Sequence, residues 1–215
     1  MHVLVCFALK EEAVAFRKIA AGKAGVAMLM VGIGRQNAEA AIRKYLATNA
    51  PELVLTCGFA GGLDPDLKIG EVVFDVPAQT RSESPHVVSC KQLVEAGAKP
   101  AKFFCADRIA TTVSEKKKLR VETGAEVVEM ESAAIQAVCA ERGIPCATMR
   151  VISDAADEAL PLDFNALAKP DRSLDFGKLF LAIARSPGKI GALMRLQQKT
   201  SFAAQQLAAV LSKIR

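Results

Sequence analysis

The sequence predicts an α/β fold: a mainly parallel sheet covered by helices on both faces, giving three layers. Three observations predict it. Short apolar runs alternate with segments whose apolar residues recur at helical spacing. Glycines and acidic residues gather just behind the apolar runs, where such sheets place their ligands. A hydrophobic content of 51% against 24% charged residues supplies a full core and excludes a disordered or collagen-like chain.

The elements follow in order. Residues 2–9 read as a buried strand and 10–19 as a short helix. Residues 26–31 form a second strand that ends in Gly32-Ile33-Gly34, after which Ala38, Ala41, Ile42, Tyr45 and Leu46 mark one face of a helix. A third strand spans 53–56, and Gly58, Gly61 and Gly62 suggest a turn behind it. Residues 71–76 continue as strand, and 79–86 form a polar, Pro-containing loop. Strands at 103–106 and 125–128 flank a charged helix near 114–122. A strong helix at 131–142 leads through Pro145 into a strand at 146–152. Residues 159–172 read as irregular, followed by helices at about 174–185 and 189–214. With 215 residues and no flexible linker, the chain is expected to be one domain spanning 1–215, with a basic helical extension at about 174–215.

Charge and cysteine usage narrow the function classes. The formal charge is +5, but no acidic residue follows Asp175, whereas seven basic ones do, so residues 1–175 carry −2. That distribution is not a body-wide phosphate-binding surface, so nucleic acid is not an expected partner. Six scattered cysteines without a C-x-x-C pair and only two histidines argue against a disulfide framework or a zinc site, and no metal is expected. No apolar run approaches the roughly 18 residues of a spanning helix. Residues 1–9 lack a signal peptide's basic start and cleavage site, so the expected location is cytoplasmic.

Five strand-end segments could carry chemistry: Ala8-Leu9-Lys10-Glu11-Glu12, Gly32-Ile33-Gly34, Gly58-Phe59-Ala60-Gly61-Gly62, Val128-Glu129-Met130-Glu131-Ser132 and Arg150-Val151-Ile152-Ser153-Asp154. Asn37 stands where a G-x-G-x-x-G fingerprint needs its last glycine, and no Walker pattern occurs, which disfavours a dinucleotide or ATP site.

Taken together, the order Glu12, G-I-G, G-F-A-G-G-L, V-E-M-E-S and R-V-I-S-D resembles the nucleoside phosphorylase and nucleosidase superfamily. Within it, the pattern is similar to the 5′-methylthioadenosine/S-adenosylhomocysteine nucleosidases over about residues 2–158. The segments A-D-E-A-L-P, K-P-D-R-S-L-D-F and R-S-P-G-K-I-G-A-L-M-R-L look like the hopanoid-associated phosphorylases, which remove adenine from adenosylhopane. The resemblance implies a three-layer α/β/α fold with a central mixed, mainly parallel sheet. It also implies cleavage of the N-glycosidic bond of an adenosine-type purine nucleoside by hydrolysis or phosphorolysis, with adenosylhopane a candidate substrate. No cofactor is implied beyond inorganic phosphate as co-substrate of a phosphorylase, and a homodimer or larger homo-oligomer is expected.

Such a cleavage passes through an oxocarbenium-like sugar, so it needs negative charge beside the sugar and a proton for the departing base. The resemblance makes Asp154 the acid at purine N7, oriented by Ser153, and burial would raise its pKa toward neutrality. It makes Glu131 the carboxylate at the ribose, kept ionised by the helix dipole, and Glu12 the group that orients water. Glu129, Met130, Arg150, Gly58, Phe59, Ala60 and Gly61 are the implied substrate contacts, although Phe59 replaces the small residue usual in G-[ST]-A-G-G. Each residue also has a plainer reading: Asp154 as a turn residue, Glu11 or Glu12 as a solvated helix residue, Met130 as core, and Arg150 as partner to a buried carboxylate.

Two questions stay open in the sequence. Two glutamates after Lys10 would repel phosphate, yet Lys10, Arg35 and Arg81 are candidate phosphate ligands. The basic C-terminal helix could lie on an anionic membrane as a peripheral contact, or pack on its own domain or a second subunit. A catalytically inactive nucleoside-binding protein and a membrane-surface interaction protein are the alternatives to an enzyme.

Overall fold

The computed structural model describes residues 2–21, 24–76, 90–169 and 176–214. Strands β1 (Val3–Phe7), β2 (Val26–Met30), β3 (Leu53–Gly62), β4 (Val72–Asp75), β5 (Lys99–Pro100), β6 (Phe103–Cys105), β7 (Val127–Glu129) and β8 (Cys146–Asp154) form one sheet. Its main path runs β2-β1-β3-β8-β4-β5, while β7 pairs with the far end of β3 and carries β6 beside it. β1, β2, β3 and β8 are mutually parallel, whereas β4 runs antiparallel to β8 and β7 antiparallel to β3. The sheet is therefore mixed and mainly parallel. Every residue of β1 and β8 is buried, as expected for strands covered on both faces.

Helices α1 (Lys10–Ala20), α2 (Arg35–Leu46), α3 (Cys90–Ala96), α4 (Val113–Thr123), α5 (Ser132–Glu141), α6 (Phe176–Arg185) and α7 (Ile190–Lys213) complete the layers. On one face, Ala13 and Phe16 of α1 and Ala203, Leu207 and Leu211 of α7 close over Val5, Phe7, Leu55 and Met149. On the other, Ala38 and Ile42 of α2 and Ile135 and Val138 of α5 close over Leu4, Cys6 and Val54. Helix α4 begins with a reciprocal cap between Thr112 and Glu115, which anchors a very polar helix at its N-terminus.

Two irregularities in the pairing of β3 matter for the site. β1 pairs with β3 only as far as Cys57, and β7 joins only at Gly61, so the edge between them is not covered by a strand. On the other edge, the register with β8 shifts between Ala60↔Ile152 and Gly61↔Asp154, leaving Ser153 as an extra, bulged residue. Such a bulge re-aims the side chains that follow it.

The structure corrects the sequence reading at two points and shows which of the open readings the C-terminal helix follows. Gly58–Gly62 is not a turn: β3 continues through it, because these glycines pair with β8 and β7. Helix α3 and the two-residue β5 were not anticipated, being too short to show a period. The second half of α7, within the segment read as a basic extension, is built into the core, whereas none of its residues before Ser201 is fully buried. The polar loop at 79–86 lies outside the described residues.

Leu207, 1% exposed within that core, tests this packing. Leu207→Ala is expected to cost about 2–5 kcal/mol. Denaturant unfolding should show a lower midpoint in a single transition shared with the rest of the domain.

Candidate active site

The sequence-predicted residues gather at the C-terminal ends of β1, β3 and β8 and at the link from β7 to α5. Glu12, in the first turn of α1, is buried, whereas Glu11 beside it is exposed. Its Oε2 accepts the Ala8 (2.9 Å) and Leu9 (2.8 Å) amides, and its Oε1 accepts the Phe59 amide (2.8 Å). Glu12 thus fills the uncovered edge of β3, satisfying an amide that no strand reaches. Burial pushes its pKa up, against Arg150 and the three amides.

Gly58 makes this closeness possible. Its φ is +151°, and a Cβ there would stand 2.5 Å from Arg150 Nη1 and 2.6 Å from Glu12 Oε1. No side chain larger than hydrogen fits without displacing one charged group or the other.

Arg150, in the middle of β8, donates from Nη2 to Glu129 Oε2 (2.6 Å), Thr56 Oγ1 (3.3 Å) and Glu131 Oε2 (3.4 Å). Glu129 is further held by the Glu131 and Ser132 amides and by the Ser132 hydroxyl, so it anchors the start of α5. Glu131 accepts the amide of Gly34 (2.8 Å), whose φ of +86° points that N–H across from the loop before α2. Burial pushes Glu131 up to about 7, with Arg150 opposing and Glu129 and Glu12 reinforcing it. The helix dipole, expected to favour the ionised form of Glu131, is therefore opposed here by burial and by neighbouring like charges. Burial also works on Glu129, but Arg150 and the Ser132 bonds prevail and hold it below the usual range.

At the bulge, the Ser153 hydroxyl donates to Asp154 Oδ1 (2.7 Å) and lies 3.3 Å from the Ala60 carbonyl. Asp154 Oδ2 accepts from Lys116 of α4 at 2.5 Å. Exposure separates the groups by role. The Asp154 and Glu131 side chains keep 9% and 8% exposure, whereas Lys116, Glu129 and Arg150 keep 0%, 0% and 1%. The two acids therefore reach the surface of the site, and their partners are sealed behind them. Glu129 and Arg150 were read as substrate contacts and sit instead in this inner layer. Met130, 8% exposed, lies between Glu129 and Glu131, and Gly61 packs against Asp154.

The predicted phosphate ligands are not part of this cluster. Lys10 is exposed at the start of α1. Arg35 is half-exposed and turned to the Cys105 carbonyl (3.4 Å) and Asp107 (3.6 Å). Arg81 lies outside the described residues. A hollow of about 750 Å³ is bordered by Phe74, Lys91, Lys102 and Glu126 and includes none of the predicted site residues. Among the described residues no group of His, Cys, Asp or Glu is arranged to hold a metal ion.

Comparison with known proteins now bears on these groups. The model of the phosphorylase superfamily matches residues 7–75 and 90–185, which include every strand-end segment above. The chain belongs to the phosphorylase superfamily. A 5′-methylthioadenosine/S-adenosylhomocysteine nucleosidase of Glaesserella parasuis serovar 5 (strain SH0165) is 28% identical over 168 residues, 65% of this chain and 72% of that protein. One from Marinomonas sp. (strain MWYL1) is 28% identical over 171 residues, 67% of this chain and 74% of that protein. Among solved structures, the 5′-methylthioadenosine/S-adenosylhomocysteine nucleosidase of Neisseria meningitidis, in complex with methylthio-immucillin-A, superposes with a TM-score of 0.70 at 20% identity, covering 99% of this chain and 97% of that one. The futalosine hydrolase of Helicobacter pylori strain 26695 gives a TM-score of 0.65 at 19% identity, covering 98% and 97%. Both share the superfamily fold.

Sequence reasoning missed Lys116. It sits in the run S-E-K-K-K-L-R, whose composition reads as a solvated helix face, and the Thr112/Glu115 cap was the only local signal of a fixed helix start.

Because its pKa is raised on folding, Glu131 contributes stability that is fully present below about 4.5 and is lost as pH rises through about 7. Wild-type unfolding free energy is expected to fall between pH 5 and 8 by an amount that includes on the order of 3 kcal/mol from this group. Urea titrations of Glu131→Gln should lack that part of the slope.

Proposed function

We propose that this chain cleaves the N-glycosidic bond of a purine nucleoside of the adenosine type, with water as the nucleophile. The observation that carries the reading is the pair of acids, Glu131 and Asp154, which keep a small exposed fraction while their partners are sealed, at the ends of two strands that both pair with β3. The named activities of the nucleosidase relatives support it.

On this reading Glu131 meets the ribose. A cationic sugar developing beside it takes the place of the proton that burial otherwise favours, an interaction stronger in the transition state than in the ground state. Asp154, oriented by Ser153, gives or shares a proton with the leaving purine. Glu12, pushed up by burial, accepts a proton from water. Met130 supplies an apolar contact, while Glu129 and Arg150 position Glu131 rather than touch substrate. No cofactor enters these steps. Two features support water over phosphate: the amides of Ala8, Leu9 and Phe59 are already bonded to Glu12, and Arg150 is already paired with glutamates.

Purified protein incubated with adenosine and methylthioadenosine is expected to release adenine and a free sugar at a rate unchanged by phosphate. Formation of sugar 1-phosphate would assign phosphorolysis instead. Asp154→Asn should lose about 10²–10⁴-fold in kcat. If Glu131 must be ionised to meet the sugar, kcat/KM rises with pH through about 7, and Glu131→Gln removes that limb.

A second reading concerns the 5′ side. Leu181, Ile190 and Met194 are 47%, 46% and 57% exposed, on helices that carry Lys178, Arg185, Lys189, Arg195 and Lys199. Apolar and basic residues together suit the surface of an anionic bilayer, and a lipid-linked nucleoside such as adenosylhopane would place substrate there. Cosedimentation with phosphatidylglycerol vesicles, lost in Ile190→Glu/Met194→Glu and weakened by salt, is the expected result.

A further inference from the structure

Lys116 is fully buried in a run of basic residues whose next two members, Lys117 and Lys118, are exposed. Its ammonium has three N–H donors, and all three are used: Asp154 Oδ2 at 2.5 Å, the Ala155 carbonyl at 2.6 Å and the Glu158 carbonyl at 2.8 Å. None remains for a phosphate or a substrate. A structural tie between α4 and the segment after β8 would need only the two carbonyls, and the Leu160 amide already bonds the Thr111 carbonyl (2.9 Å) across the same gap. The ion pair adds a hold on one oxygen of Asp154, while Ser153 holds the other at 2.7 Å. Two donors on two oxygens fix both the position and the plane of the carboxyl.

We propose that Lys116 is a positioning residue for departure of the purine, a role that rests on Asp154 meeting the base as proposed above. Asp154, a carboxylate in the resting ion pair, first takes a proton from water. When the C–N bond breaks, its electron pair stays with the purine. The Asp154 O–H bond then breaks as an N–H bond forms on the base, and the carboxylate returns to its pair with the ammonium already in place. Asp154 touches the base, and Lys116 acts only through Asp154.

The test uses leaving groups that differ in their need for a proton. Lys116→Met, an unbranched replacement of similar length, is expected to lower kcat on the purine nucleoside by about 10²-fold or more, with KM changed only a few fold. On 4-nitrophenyl β-D-ribofuranoside, whose phenolate leaves without a proton, the rate is expected to stay within about threefold of wild type, since no acid is required. Lys116→Met leaves the Asp154 charge buried without its partner and can weaken folding. The double variant Lys116→Met/Asp154→Asn, which removes both charges, is therefore compared with Asp154→Asn, and no additional loss on the purine substrate is expected. Proportional losses on both substrates, or a further loss in the double variant, would overturn the assignment of Lys116. If wild type turns over neither substrate, the reading of the site itself fails; if it turns over both, only the role of Lys116 is at stake.

Discussion

A buried guanidinium surrounded by more carboxylates than it can neutralise governs the rest of the site. Arg150 pairs most closely with Glu129 and reaches Glu131 at a longer distance, and Glu12 lies close enough to feel its charge. One positive charge cannot balance three negative ones in a medium that solvates none of them. The titration behaviour follows from that inequality: Glu129, with Arg150 and the Ser132 bonds, is held down, while Glu12 and Glu131 are pushed up. The site is left short of positive charge. A proton can supply it, and so can a sugar that becomes cationic during bond cleavage. On the proposed function, this electrostatic deficit would favour an oxocarbenium-like state over a neutral ribose.

Defects in the sheet place the groups around that centre. A perfect sheet would cover both edges of β3 with strands and would leave no β3 amide for Glu12. Because β1 stops opposite Cys57 and β7 begins opposite Gly61, the Phe59 amide turns to Glu12 instead. The extra residue at Ser153 has a comparable effect on the other edge, aligning Asp154 with Gly61 and bringing its carboxyl within 3.2 Å of where a Cβ at Gly61 would stand. At the first irregularity a site carboxylate accepts the free strand amide, and at the second it accepts the hydroxyl of the bulged serine. Fold and site therefore share the same residues, and Gly58 and Gly61 serve close approach rather than a turn.

Much of this was legible in the sequence, for physical reasons that differ by residue. The strands and α5 declare themselves by continuous apolar runs and a 3.6-residue period. Glu12, Glu131 and Asp154 stand at or within a few residues of strand ends, where an α/β sheet opens, and their order along the chain completes a recognisable pattern. Glu12 was preferred to Glu11 on the resemblance alone, whereas the physical reason is visible only in the direction of the first turn of α1, which turns Glu12 to Phe59. Arg150 could be read as a ligand or as a partner, since sequence position does not reveal which side of a carboxylate is open. Lys116 was illegible: nothing in three successive lysines shows that the first alone turns inward to a residue 38 positions later. The β3 glycines looked like a turn because glycine is conformationally free, and only pairing partners reveal that the strand continues.

The placement of positive charge supports the proposed choice of water over phosphate. A phosphate nucleophile needs unspent cations and amides facing the sugar, because it brings negative charge into the space it occupies. Here the inner cations are each paired with an acid, Lys116 with Asp154 and Arg150 with Glu129. Lys116 has no free N–H, Arg150 is paired with Glu129, and the amides that could have bound an anion near β1 are taken by Glu12. Arg35 is the nearest counter-argument, since it follows directly after Gly34, whose amide bonds Glu131. Its guanidinium, however, leans on the Cys105 carbonyl and Asp107, and would have to leave both to meet an anion. Water carries no such requirement. It needs one acceptor of raised basicity close to the sugar, and Glu12, buried and pushed up, has the character of such an acceptor.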